Sequence, residues 1–142
     1  MLQDVQNTYS NQQSVLPVSG TPVISTNVLD QYPGTIGFGS GGRQIFLFVQ
    51  ITQAYNTLTS LQLEWQQSAD GTFSDGLTDM DNRTIALANL TLGAFYAVAT
   101  PYSSVARYTR MKYSTTGSTP TTGAINAFLT DMIDGFNVVS LH

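Results

Sequence analysis

The sequence contains no cysteine, and its single histidine, His142, is the last residue. Catalysis by a cysteine nucleophile is therefore excluded, and a Ser–His–Asp arrangement would need a histidine that a third group holds in place. A terminal histidine is a poor candidate for that role, and metal sites built from His and Cys are equally out of reach. We expect a protein that is not an enzyme and that needs no metal or cofactor.

Charged residues are also scarce: they make up 10% of the chain, against about 25% in a typical soluble domain. The net charge is −4, and the basic side chains are Arg43, Arg83, Arg107, Arg110 and Lys112. These are too few and too dispersed to form the cationic footprint of a nucleic-acid binder. A polar surface built mainly from Ser, Thr, Gln, Asn and Gly tolerates close contact between subunits, so we expect an assembling protein.

Long apolar runs are missing as well. The run at residues 45–49 has only the length of a strand, whereas a helix that spans a bilayer needs about 20 apolar residues. The first six residues lack the positive and apolar regions of a secretory signal. We therefore expect no membrane partner, and the absence of cysteine agrees with synthesis in a reducing cytoplasm.

What the sequence does contain is a series of short strand-like segments. Residues 23–29 are rich in β-branched types. Residues 44–52 contain an unbroken apolar run at 45–49, which predicts a central strand covered on both faces. Leu61, Leu63 and Trp65 alternate with polar residues, as in a strand with one buried face. Further candidate strands are residues 84–90, 94–100, 107–114 and 124–133, the last of which also suits a helix.

Seven or eight short strands without a long amphipathic helix predict an all-β protein, an antiparallel β-sandwich of jelly-roll type. At 142 residues the chain is expected to form a single domain. Leu2, Val5 and Tyr9 are spaced by three and four residues, which predicts an extended or short helical N-terminal arm over residues 1–13.

Two sequence motifs resemble known binding sites, one for a dinucleotide and one for a cation. Residues 37–42 match GxGxxG, but they follow a Pro-Gly turn and open a strand, so we expect no dinucleotide there. The acidic residues between Asp70 and Asp81 do not form an EF-hand. In a calcium loop that begins at Asp79, Arg83 and Thr84 would occupy the fifth and sixth positions, where an oxygen ligand and a glycine are required. This acidic loop is open to two interpretations, a looser cation site or aspartates that bond to their own turn. Glu64 with one of these aspartates could imitate a glycosidase pair.

Aromatic residues are plentiful, with seven Tyr, seven Phe and one Trp, Trp65. Tyrosines near strand ends can pack in a core, line a sugar groove or anchor a protein interface. The sequence leaves these three roles open.

Several short stretches together resemble the Bbp16-like group of tailed-bacteriophage capsid cement proteins. They are residues 1–6, 25–30, 47–51, 59–63 and 107–113, and their order along the chain is also similar. The resemblance implies a jelly-roll sandwich that associates as a homotrimer on the outside of the phage head and clamps adjacent major capsid subunits. It brings no catalytic residues.

We therefore expect a capsid cement protein, made in the bacterial host cytoplasm and located on the outer surface of the virion. Its expected partners are the major capsid protein and its own copies, with no nucleic acid, membrane or small-molecule substrate. Arg and Tyr are enriched at interface hot spots, and the expected contact residues are Leu2, Val5 and Tyr9 in the arm, Phe38 and Arg43 in the glycine loop, and Tyr102, Arg107, Tyr108 and Arg110 at a strand edge. The alternative is a carbohydrate- or receptor-binding module of a head fibre or tail, with Trp65 and tyrosines stacked on sugar rings.

Overall fold

The computed structural model describes residues 8–18, 21–30, 46–74, 76–99 and 106–130. Within these ranges the chain forms strands and one 3₁₀ turn, Leu87–Asn89, and no α-helix. The strands are β1 (Thr8–Ser14), β2 (Val23–Ile24), β3 (Leu29–Asp30), β4 (Phe46–Gln53), β5 (Leu58–Ser68), β6 (Thr78–Ala86), β7 (Phe95–Ala99), β8 (Tyr108–Gly117) and β9 (Ala124–Thr130).

The strands form two antiparallel sheets. The four-stranded sheet has the order β1-β9-β4-β7, and the five-stranded sheet has the order β2-β8-β5-β6, with β3 also paired to β8. Because β2 and β3 follow one another along the same edge of β8, they act as one interrupted strand. The resulting eight strands have the order 1-8-3-6 in one sheet and 2-7-4-5 in the other, which is the jelly-roll arrangement. The predicted antiparallel β-sandwich is confirmed.

Strand β4 lies inside its sheet, as its apolar run predicts. Leu47 and Val49 join the core between the sheets. Phe48, on the opposite face, is only 1% exposed, and its ring lies 5.1 Å from that of Phe95 and 5.3 Å from that of Phe128. The expectation of a strand covered on both faces is confirmed at this position.

The other side of the core comes from β5 and β8. Leu61, Leu63 and Trp65 alternate along β5, and all three are buried, as are Met111 and Tyr113 of β8. Burial of each such side chain contributes about 1.5–3 kcal/mol relative to exposure. The period-two pattern in the sequence therefore marks the inner face of the five-stranded sheet.

Hydroxyl groups connect β1 to the opposite sheet across this core. The Tyr9 hydroxyl shares a 2.7 Å hydrogen bond with Thr109 and accepts a 2.9 Å bond from the Trp65 indole N–H. Ser10 shares a 2.8 Å bond with the Tyr113 hydroxyl. Burial raises the pKa of the Tyr9 and Tyr113 phenols well above the ordinary value, so both stay neutral.

The predicted N-terminal arm needs correction. Residues 8–13 belong to strand β1, which pairs with β9 inside the sandwich, and Tyr9 is fully buried. The spacing of Tyr9 from Leu2 and Val5 therefore does not mark a helix at Tyr9. Leu2 and Val5 lie outside the described residues.

Two strand predictions differ in their bounds. The strand predicted at 23–29 is interrupted, because the Ser25 hydroxyl donates to the carbonyl of Asn27 at 2.8 Å and the Asn27 N–H donates to the carbonyl of Tyr9 at 3.0 Å. The strand predicted at 84–90 is the end of β6 followed by the 3₁₀ turn. The ambiguous segment at 124–133 contains strand β9, Ala124–Thr130, in its described part.

No helix in the described part of the chain is both long and apolar enough to cross a membrane.

Candidate protein-interaction surface

The contact residues predicted from the sequence fall into three groups. Tyr9 is fully buried in the core, so its assignment as an interface contact is wrong: the folded chain itself covers its side chain. Arg107, Tyr108 and Arg110 lie together at the start of β8. The remaining predicted residues lie outside the described ranges: Leu2, Val5, Phe38, Arg43 and Tyr102.

Arg107 is fixed by a neighbouring strand. Its Nε and Nη2 atoms donate to the two carboxylate oxygens of Asp30 in β3, at 2.8 and 3.0 Å. The guanidinium carbon lies 4.9 Å from the ring centre of Tyr108. A bidentate pair of this kind holds the planar group in one orientation. Arg107 and Tyr108 therefore form a preorganised, half-buried patch at the edge of the five-stranded sheet.

Arg110 is held by two other segments. Its Nε donates to Oε1 of Gln66 at 2.9 Å, and its guanidinium lies 4.1 Å from the ring centre of Phe73. Burial lowers the pKa of Arg110, and the nearby Glu64 carboxylate opposes that change. Phe73 is 5% exposed, so the turn after β5 folds over the outer face of its own sheet.

Asp70 stabilises that turn. The Ser74 backbone N–H and hydroxyl donate to its carboxylate at 3.0 and 2.8 Å, and these bonds lower the Asp70 pKa to about 2. Asp79 and Asp81, predicted in the same loop, belong to strand β6 instead, while Asp75 is not among the described residues. At Asp70 the structure supports the turn-forming interpretation, and the described residues contain no group of three potential metal ligands.

Glu64 and Lys112 are cross-strand neighbours that sequence reasoning did not connect. They lie opposite each other on β5 and β8, and their charged atoms are 3.1 Å apart. Glu64, offered by the sequence as half of a glycosidase pair, is thus ion-paired with a lysine. The outer surface of the five-stranded sheet, called the charged face below, carries Glu64, Arg107, Tyr108, Arg110 and Lys112.

The four-stranded sheet has the opposite character. None of the residues in β1, β4, β7 and β9 is Asp, Glu, Lys, Arg or His. Its outer surface, called the uncharged face below, combines aromatic rings with amides and carries Phe48, Gln50, Phe95, Ala97, Asn126 and Phe128. Depletion of charge together with aromatic enrichment is typical of the centre of protein interfaces. Sequence reasoning missed this face, although the absence of charge in the four segments was available as a signal.

The aromatic residues are mostly structural. Trp65 is 1% exposed and donates its N–H to Tyr9, so the expectation that Trp65 stacks on a sugar ring is wrong. Tyr55 and Tyr113 are also buried. Tyr96 is half-buried and donates its hydroxyl to the carbonyl of Asn89 at 2.8 Å; burial raises its pKa, and Arg83 opposes that shift.

Comparison with known proteins supports the fold and shows the family. A crystal structure of PirA matches with a TM-score of 0.53 at 12% sequence identity, over 86% of this chain and 94% of the PirA chain. At that identity the likeness concerns the fold alone. No curated protein matches the sequence. The Bbp16 family model matches residues 10–129, which is most of the chain. The chain therefore belongs to the Bbp16 family, a family with a phage-derived name.

Proposed function

We propose that this protein is a capsid cement, or decoration, protein of a tailed bacteriophage. In this proposal it binds the outer surface of the head, stabilises the contacts between major capsid subunits and has no catalytic activity. It is made in the cytoplasm of the bacterial host and acts as a homotrimer. Membership of a phage-associated family and the jelly-roll sandwich support this proposal.

The observation that carries the proposal is the uncharged face. Gln50 and Asn126 are directly opposed on β4 and β9 and are half-buried. An amide can hydrogen-bond to a partner with a smaller desolvation cost than a charged group. Phe48 and Phe128 are themselves buried in the folded chain, so the accessible part of this face consists of half-buried residues such as Gln50, Phe95 and Asn126. Such an uncharged surface is suited to lie against another protein, and we assign it to the shell. The charged face then points outward or toward neighbouring copies.

Assembly would strengthen such contacts. In a trimer, docking of one protomer raises the effective concentration of the other two at their own sites. Many weak contacts repeated by symmetry then hold the capsid subunits together without chemistry. This argument needs neither a nucleic acid, a membrane nor a small-molecule substrate.

The direct test is addition of the purified protein to phage heads that lack it. We expect saturable cosedimentation with the heads and a higher temperature of head disruption. Light scattering of the protein alone would show whether three copies associate. Failure of the protein to bind the heads would contradict the proposal. Saturable sugar binding on a glycan array, together with no binding to heads, would support the alternative of a carbohydrate-binding module.

A charge placed on the uncharged face tests which face docks. Gln50→Glu should weaken head binding by roughly tenfold or more, equivalent to about 1.4 kcal/mol, because the carboxylate would lose water without gaining a partner. Gln62→Glu is the matched control, since Gln62 is a half-buried glutamine of β5 on the other sheet. Equal binding by both variants would exclude the uncharged face as the docking surface.

A further inference from the structure

Strand β6 forms an open edge of the five-stranded sheet. Its nine residues pair with β5 only. Within the described part of the chain, no backbone hydrogen bond reaches β6 from another strand or loop. An edge of this length, without Pro or Gly, exposes a row of backbone donors and acceptors that can accept a further strand.

The opposite edge of the sandwich is closed. There the Gln13 side chain bonds to the carbonyl of Ile24 and to the N–H of Thr26, both at 2.9 Å, and the Asn27 N–H bonds to the carbonyl of Tyr9 at 3.0 Å. These bonds join β1 of one sheet to the β2–β3 edge of the other. On the other side of the sandwich the described edges are β6 and the five-residue β7 of the four-stranded sheet. Of these two, the nine-residue β6 is the longer open edge.

Charged side chains on β6 decide what could pair with it. Asp81 and Arg83 lie two residues apart and therefore on the same face of the strand, with their charged atoms 4.0 Å apart at the limit of an ion pair. They border a narrow apolar cleft between the sheets, with Trp65 and Val98 in its wall. Charges directed toward the interior at an edge normally prevent strand addition, unless the incoming strand carries opposite charges at the matching positions.

One strand that meets this condition is β6 itself. In an antiparallel pair of two β6 strands centred on Asn82, Asp81 of each copy faces Arg83 of the other. Centring the pair on Arg83 would instead place two arginines opposite each other, and like charges there are destabilising. The complementary arrangement is isologous, since the same surface is used by both copies.

We propose that two copies of this chain associate through their β6 edges, antiparallel and centred on Asn82, with two reciprocal Asp81–Arg83 ion pairs. The two five-stranded sheets then form one continuous sheet, and the second copy covers the cleft beside Trp65. The regular register of β6 against β5 runs from Asp81 to Ala86, with a shift just before it. This irregularity restricts pairing to a short segment, so we expect reversible association of the free protein.

Cysteine trapping tests the register, and the absence of native cysteine makes the result clean. Opposed residues of an antiparallel pair have Cα atoms about 4.5–5.5 Å apart, within reach of a disulfide. Under copper–phenanthroline oxidation in air, Asn82→Cys should form a covalent dimer. Thr84→Cys is the matched control on the same strand: the two Thr84 positions would be about 14 Å apart, so it should remain uncrosslinked. Equal crosslinking of both variants would overturn the register.

Charge exchange tests the ion pairs. Asp81→Arg and Arg83→Asp each place like charges opposite each other, so each variant alone should lose the two-copy species in sedimentation velocity. A mixture of the two variants should recover it, and the double variant Asp81→Arg/Arg83→Asp should retain it. Thermal melting of each variant checks the fold. Persistence of self-association in both single variants, or failure of the mixture to recover it in folded chains, would overturn the proposal.

This contact is separate from the proposed trimer contact and does not depend on it. With both contacts the protein forms hexamers or larger assemblies, and with the β6 contact alone it forms dimers. If the single charge variants change hexamers into trimers, the two contacts are independent. If the wild-type protein at about millimolar concentration contains no species in which copies pair through β6, the β6 proposal is contradicted. The trimer and the binding to heads are then judged by their own tests.

Discussion

The two sheets of this jelly roll differ in their content of charged residues. The four-stranded sheet contains no charged residue and packs its outer face around the ring of Phe48. The five-stranded sheet carries acidic and basic residues on β3, β5, β6 and β8. Two of its charged pairs, Glu64–Lys112 and Asp30–Arg107, join neighbouring strands. One sheet thus relies on apolar packing on both faces and the other on ion pairs outside its apolar face.

This difference in composition predicts how strongly substitutions in each sheet lower the stability of the fold. Burial of a large aromatic ring contributes several kcal/mol, and its loss leaves a cavity. Exposed ion pairs contribute between zero and about 1 kcal/mol. We therefore expect the uncharged sheet to be sensitive to truncation and the charged sheet to be comparatively tolerant.

The largest expected effect is that of Phe48→Ala. Removal of this buried ring from between Phe95 and Phe128 should lower the free energy of unfolding by about 3–5 kcal/mol. Urea denaturation followed by Trp65 fluorescence would measure it. Phe46→Ala is the control on the same face of the same strand, where the ring is only half-buried and the cost should be smaller. Equal stability of Phe48→Ala and the wild type would show that the outer aromatic cluster is not structural.

A smaller effect is expected from Lys112→Met on the charged sheet. The side chain of Glu64 is only 12% exposed, so removal of Lys112 leaves a largely buried carboxylate without its ion-pair partner, at a cost of about 1–3 kcal/mol. The double variant Glu64→Gln/Lys112→Met should regain more than half of that loss, because no unpaired charge remains. A loss larger than that of Phe48→Ala would reverse the comparison between the sheets.

The smallest effect concerns Asp70, in the turn over the charged face. Since the pKa of Asp70 is lowered to about 2, its stabilising contribution is complete above its unfolded pKa near 3.8 and is lost as the pH falls through about 2. Carbon NMR titration of the Asp70 carboxyl should show this low midpoint. Ser74→Ala removes one donor and should move the midpoint upward. An unchanged midpoint in that variant would exclude the Ser74 hydroxyl as a cause.

Much of the fold follows from local patterns. The alternation of Leu61, Leu63 and Trp65 predicts β5, and the apolar run from residue 45 predicts a β4 covered on both faces. Both patterns depend on which side of a strand is buried, and a strand has a fixed period of two. The interruption between β2 and β3 has no such local signal, because Asn27 bonds to Tyr9, which belongs to a distant strand.

The candidate site was less predictable for the same reason. Residue type alone singles out Arg107, Tyr108 and Arg110, and the structure brings them together at the start of β8. Their partners Asp30 and Phe73 come from other parts of the chain. The spacing of Tyr9 from Leu2 and Val5 predicts an extended or short helical arm, whereas the Tyr9 hydroxyl is hydrogen-bonded to Thr109, a hundred residues away. Likewise, the uncharged face emerges only when the strand order is known.

The uncharged sheet has one further consequence, which concerns ionic strength. Dissolved salt screens the attraction between exposed charges that are separated by more than the Debye length, which is about 10 Å at 0.1 M and about 3 Å at 1 M ionic strength. Contacts made through strands without any charged side chain contain nothing for the salt to screen. A protein that binds the head through that sheet would stay attached at both low and high salt concentration.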